Sequence, residues 1–134
     1  MDYVKIGGKV WDVLVTEIRE GFSILYSSNS GRTMSKKARM TLDPLGTFYD
    51  YKVTFQRKEG KEAEYDQFFD YVSTPRYDGT PVEIVHNQET LSFDAYISQG
   101  ERMLKRIDLT TGKVFWDKLS LSIVPMEAQV SPDE

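Results

Sequence analysis

Phe48-Tyr49-Asp50-Tyr51-Lys52-Val53-Thr54-Phe55-Gln56 puts Tyr49, Tyr51, Val53 and Phe55 on one face of an extended chain and Asp50, Lys52, Thr54 and Gln56 on the other. A period of two is the pleat of a β-strand with one face in a core and one in water. Just downstream the period changes. Between Glu62 and Ser73, Tyr65, Phe68, Phe69 and Val72 recur at helical spacing, while Glu62, Glu64, Asp66 and Asp70 take other positions. This predicts one amphipathic helix with an aromatic stripe, closed by Pro75.

The flanking sequence returns to strand. Towards the N-terminus, Tyr3 to Ile6 and Val10 to Ile18 are β-prone runs joined by Gly7-Gly8, which reads as a hairpin. Gly21 marks a break, after which Phe22, Ile24 and Tyr26 alternate with Ser23, Leu25 and Ser27. Towards the C-terminus, Val82–His86 and Thr90–Ser98 form an expected hairpin around Asn87-Gln88. Arg102–Leu109 and Lys113–Pro125 form another around Thr110-Thr111-Gly112. Residues 127–134 are polar, contain Pro132, and are expected to be a frayed tail.

Residues 27–46 stand apart. They carry Arg32, Lys36, Lys37 and Arg39 with no acid before Asp43, and sustain neither period. Long connections of this kind are functional or disordered far more often than idle. This basic loop, or arm, is the candidate subunit interface, through those four cations. The expected architecture is one mainly β (α+β) domain over residues 1–126. It is an antiparallel small β-barrel or sandwich of about seven strands, with one amphipathic helix packed on it and the long arm loop.

Composition narrows the chemistry. The chain has 134 residues, enough for one domain with a real core, and eight Tyr, seven Phe and two Trp, residues suited to half-buried sheets and interfaces. A formal charge of −4 gives no general attraction to nucleic acid or anionic membranes. With no cysteine, disulfides, thiolate catalysis and Cys-ligated zinc are excluded. The start, Met1-Asp2-Tyr3-Val4-Lys5, lacks signal-peptide character, so synthesis in the cytoplasm is expected. No apolar run approaches the roughly 20 residues that cross a bilayer as a helix.

The only histidine, His86, sits beside a turn and reads as an exposed turn residue without catalytic partners. Glu62, Asp66 and Asp70 lie one turn apart opposite the aromatic stripe and read as a solvated helix face, not a hydrolytic carboxylate pair. Asp94, Asp108 and Asp117 are scattered, without calcium-loop spacing. Gly7-Gly8-Lys9 lacks phosphate-loop spacing. The expectation is a non-enzyme with no catalytic, metal or cofactor-binding residues, no cofactor and no small-molecule substrate. Protein partners are favoured over nucleic acid.

Several segments taken in order resemble a family of small virion proteins encoded in the tail regions of Firmicutes phages and prophages. They are Ile6-Gly7-Gly8-Lys9, Gly31-Arg32-Thr33, Gly46-Thr47 running into the strand at 48–55, Ser73-Thr74-Pro75, and Gly112-Lys113-Val114-Phe115-Trp116-Asp117-Lys118-Leu119-Ser120-Leu121. The segment order is also similar to the β-barrel-plus-helix unit of tail-tube subunits and of the N-terminal part of distal tail proteins. That resemblance implies a non-enzymatic structural subunit of a long-tailed bacteriophage tail. It would sit in the virion after assembly in the host cytoplasm, in rings, commonly hexameric, of its own copies with other tail proteins. The alternative from the residues alone is an OB-like module that binds single-stranded nucleic acid through exposed aromatics such as Tyr96 or Trp116 and the arm's cations.

Overall fold

A computed structural model describes residues 3–28, 30–32 and 40–132. The described residues are mostly antiparallel β with one helix. In chain order its elements are β1 (Val4–Ile6), β2 (Leu14–Tyr26), β3 (Gly31–Arg32), β4 (Met40–Thr41), β5 (Pro44–Gln56), α1 (Glu62–Val72), β6 (Thr80–His86), β7 (Glu89–Asp108) and β8 (Lys113–Pro125). Six strands form one sheet in the order β1-β6-β7-β8-β5-β2, and β3 and β4 form a separate short ladder.

The alternation around Tyr51 did predict the strand that holds the core. Tyr51, Val53 and Phe55 of β5 are buried with Leu119, Leu121 and Ile123 of β8, and Val53 lies opposite Leu121. Facing pairs of this kind are the unit of sheet stabilisation. Tyr65, Phe68 and Val72 bury the stripe of α1 against this surface, with the Phe68 ring edge-on to Phe55 at 4.8 Å. Thr74 and Ser73 hydroxyls both donate to the Asp70 carbonyl, capping the helix end ahead of Pro75.

Several expectations are corrected. β1 and β2 do not pair with each other: β1 pairs with β6, Val4 opposite Ile84 and Ile6 opposite Val82. The Gly7-Gly8 turn is tight, with an Ile6–Lys9 bridge and positive φ at both glycines, but it carries the chain across the end of the sheet instead of back along it. The Trp11 indole N–H donates to the Ile6 carbonyl at 2.9 Å, and its ring lies 5.3 Å from Phe68. Burying that indole outweighs the local hairpin.

Gly21 does not break the chain, and β2 runs 13 residues through it. The runs expected as 90–98 and 102–109 are one 20-residue strand whose register slips beside Ser98, Arg102 and Lys105. The arm is not structureless at its base, where Gly31 pairs with Thr41 and Arg32 with Met40. The segment expected to fray is tied down at 127–130, where Val130 bridges Thr47 and the Gln129 side-chain oxygen accepts the Tyr49 N–H at 2.8 Å.

The barrel-or-sandwich expectation resolves as a curled sheet that is not closed. The curl is visible in the side chains. Glu20 of β2, an edge strand, reaches His86 of β6, the neighbour of the opposite edge. An open seam therefore runs between β1 and β2.

Candidate interaction surface

Of the four expected interface cations, Arg32 lies in β3 opposite Met40, whereas Lys36, Lys37 and Arg39 lie outside the described residues. The arm's root prolongs the β2–β5 ladder, which continues to the Tyr26–Pro44 pair. There the Ser27 hydroxyl donates to the Asp43 carboxylate at 2.5 Å, and the Asp43 N–H donates to Ser30 Oγ at 2.8 Å.

The seam is fastened by a polar contact that the sequence reading missed. Residues opposite each other in a ladder share a face, so Ile18, Glu20, Phe22 and Ile24 point to the same side as Val53, Tyr51, Tyr49 and Thr47. Glu20 is thus an acid on the core-side face. Its carboxylate accepts the Tyr51 hydroxyl and lies 2.7 Å from His86 Nδ1. The His86 ring packs on Tyr49 with centroids 4.8 Å apart. His86 is therefore a seam residue, not a solvated turn residue. Burial pushes the Glu20 carboxyl upward, but the hydrogen bonds from Tyr51 and His86 together with the imidazole charge outweigh it, and its pKa falls below the usual range. Burial and the adjacent Glu20 push the Tyr51 phenol strongly up. The clue in the sequence was one acid in phase with Ile18 and Phe22, legible once β2 is taken as a single strand.

Beside this contact the seam widens into an apolar cleft of about 570 Å³. Val4 and Ile6 of β1, Trp11 and Val13 of the connection, and Val15 and Ile18 of β2 form its walls. Phe55 and Phe68 reach it from the core. At the connection, Asp12 is bound by Lys58 at 2.6 Å and Lys61 at 3.4 Å, and its hydrogen bond from Lys58 leads the effects that lower its pKa.

Two hairpins carry apolar side chains into solvent. Every residue from Met103 to Val114, around the β7–β8 turn, is exposed, and Leu109 at the tip is 89% exposed. On the β2–β5 hairpin Phe22 is 68% exposed, with Leu25, Tyr26, Leu42 and Leu45 also open. The root of the β7–β8 hairpin is clamped to α1. The Arg102 guanidinium lies 3.8 Å from the Phe69 ring centroid and 4.3 Å from that of Trp116, and bonds Asp66 at 3.0 Å. Arg57 and Arg106 flank the Phe115 ring at 5.0 and 4.3 Å. The helix acids are thus not all solvated: Asp66 pairs with Arg102, and Glu62 with Arg57 at 3.3 Å.

Among the described residues no three His, Cys, Asp or Glu side chains group as a metal site. No described helix is long and apolar enough to cross a membrane. Asp108 caps its own turn, accepting the N–H groups of Thr110 and Thr111, which lowers its pKa. Asp94 is exposed on β7, and Asp117 lies 4.0 Å from Lys105 and caps the Lys118 N–H. Tyr96 is half exposed, while Trp116 is taken by Arg102. No protein-family model matches the chain, and no curated protein matches it. The surface is that of a β-rich protein with apolar hairpins held out from its core.

Proposed function

We propose that the chain is a non-enzymatic structural subunit of a long-tailed bacteriophage tail, tube-like or distal-tail-like, that assembles into a ring through protein–protein contacts. One observation carries the contact half of this reading. Two long hairpins extend beyond the core with Phe22, Leu25, Leu45, Met103, Ile107 and Leu109 open to water. Exposed apolar surface of this extent marks interaction sites on soluble proteins. The tail half rests on the ordered motif resemblance of the sequence, from Ile6-Gly7-Gly8-Lys9 to the closing β8 segment. A ring needs heterologous contacts, two different surfaces of each copy meeting, and distinct hairpins together with the cationic arm supply different surfaces.

The test is the mass of the purified full chain, with negative-stain imaging, beside a variant lacking residues 29–42. Rings for the whole chain and folded smaller species for the variant are expected. A chain that forms no ring overturns the ring, and unchanged oligomer mass after the deletion overturns the arm's part in it. A fluorescence titration with oligonucleotides at low and high salt is expected to show no specific binding. Nothing at Trp116 favours the nucleic-acid alternative, because Arg102 occupies its face.

A further inference from the structure

We infer that β2 pairs edge to edge, antiparallel, with β2 of a second copy of this chain over residues 18–26, joining two sheets about a two-fold axis. β2 is an outer strand of the six-stranded sheet, so one side of its backbone has no partner strand among the described residues. It is 13 residues long, whereas the opposite outer strand, β1, has 3. Proteins guard long edges with lysine, proline, bulges or a covering loop. β2 has neither lysine nor proline, and its irregularities lie at its two ends, between Val15 and Glu17 and between Leu25 and Tyr26. From Glu17 to Leu25 its register with β5 is unbroken, and from Gly21 to Tyr26 it carries no charge. Nine residues at about 3.3 Å each make a ladder of roughly 30 Å.

Length and charge select the occupant. Of the main sheet's two free edges only β2 can pair along such a ladder, so its match on this molecule is β2 itself. Centred on Phe22, an antiparallel pairing places Arg19 opposite Leu25 and Glu20 opposite Ile24 of the second copy, leaves Glu17 just beyond the ladder, and brings no like charges together. Parallel pairing in register would stack Glu17 on Glu17 and Arg19 on Arg19, which destabilises a sheet. The third charge, Glu20, is turned inward onto Tyr51 and His86. The antiparallel arrangement brings the two exposed Phe22 side chains together and sets the half-buried Ile18 against the exposed Tyr26, removing apolar surface from water. The contact is isologous and does not depend on the tail reading. Combined with ring contacts it would set two rings back to back.

The chain contains no cysteine, so one introduced thiol is a clean probe. In the full chain, oxidised Phe22→Cys is expected to cross-link to a dimer. A mixture of Arg19→Cys and Leu25→Cys should join to each other in preference to themselves. Tyr96→Cys, exposed three strands away, sets the collision background. Sedimentation should give even-numbered species, and Ile24→Lys or Leu25→Lys should weaken the dimer at least tenfold with unchanged far-UV circular dichroism. Two lysine variants are used so that one misfolded protein does not decide the matter. Cross-linking of Phe22→Cys no faster than Tyr96→Cys overturns the inference, as does a dimer indifferent to whichever lysine variant folds. Failure of the ring reading leaves dimers with the Phe22 cross-link, whereas failure of this inference leaves rings or monomers without it.

Discussion

Glu20, Tyr51 and His86 show how single residues act at the seam. The Glu20 pKa is depressed in the fold, so its contribution is present above the unfolded value of about 4.5 and is lost as pH falls through the folded value. The thermal midpoint of the wild type is therefore expected to drop more steeply between roughly pH 5 and pH 3 than that of Glu20→Gln. At neutral pH the same substitution should cost about 1 kcal/mol in urea unfolding, the size of one charge-assisted hydrogen bond weakened. Equal pH slopes would remove the ionised carboxylate from the account. Tyr65 is a different case: its hydroxyl has no hydrogen-bond partner among the described residues, and burial, helped by Asp117 and Asp66 against Arg102 and Arg57, pushes its pKa up to about 12. A backbone constraint is as local. Gly79 has φ +78°, and an added Cβ would stand 2.7 Å from the Ala95 carbonyl oxygen of β7. Gly79→Ala should cost more than about 1 kcal/mol, read from the same titration.

Among the elements, the β7–β8 hairpin is held to α1 by Arg102, whose planar head fills the space between Phe69 and Trp116 while bonding Asp66. Arg102→Ala removes the cation–ring contacts with Phe69 and Trp116 and the Asp66 ion pair, a loss expected to be about 2 kcal/mol. Arg102→Lys should recover less than half, because an ammonium cannot lie flat between two rings. Full rescue by lysine would reduce the clamp to a simple charge pair. The stripe of α1 was readable from spacing alone, and Tyr65, Phe68 and Val72 are the residues it buries. Arg102 was not readable, since its ring partners lie on α1 and on the next strand, and no local period marks a cation that stacks between them.

At the scale of the molecule, the core lies between β5, β8, β6 and α1, and the outer strand β2 contributes no buried residue to it. Phe68→Ala, at the junction of α1, β5 and Trp11, should cost about 3–5 kcal/mol. Phe22→Ala should leave the unfolding midpoint of dilute protein nearly unchanged while weakening self-association. That contrast separates residues that hold the fold from residues that meet a partner. Equal destabilisation by the two would place Phe22 in the core.

The alternation at 48–56, the helical spacing at 65–72 and the absence of cysteine determined on their own that this is a β-rich chain with one packed helix and no thiol chemistry. Periodicity reports which face of a segment is dry, and that is a local property. Which strands meet is not local, because every backbone edge presents the same N–H and C=O groups. Tertiary structure alone sent β1 to β6 instead of β2, because Trp11 and α1 offer an apolar end that the local hairpin would have left uncovered. With β1 and β2 on opposite edges, Glu20 came to face His86 and a 13-residue strand was left with one side unpaired among the described residues.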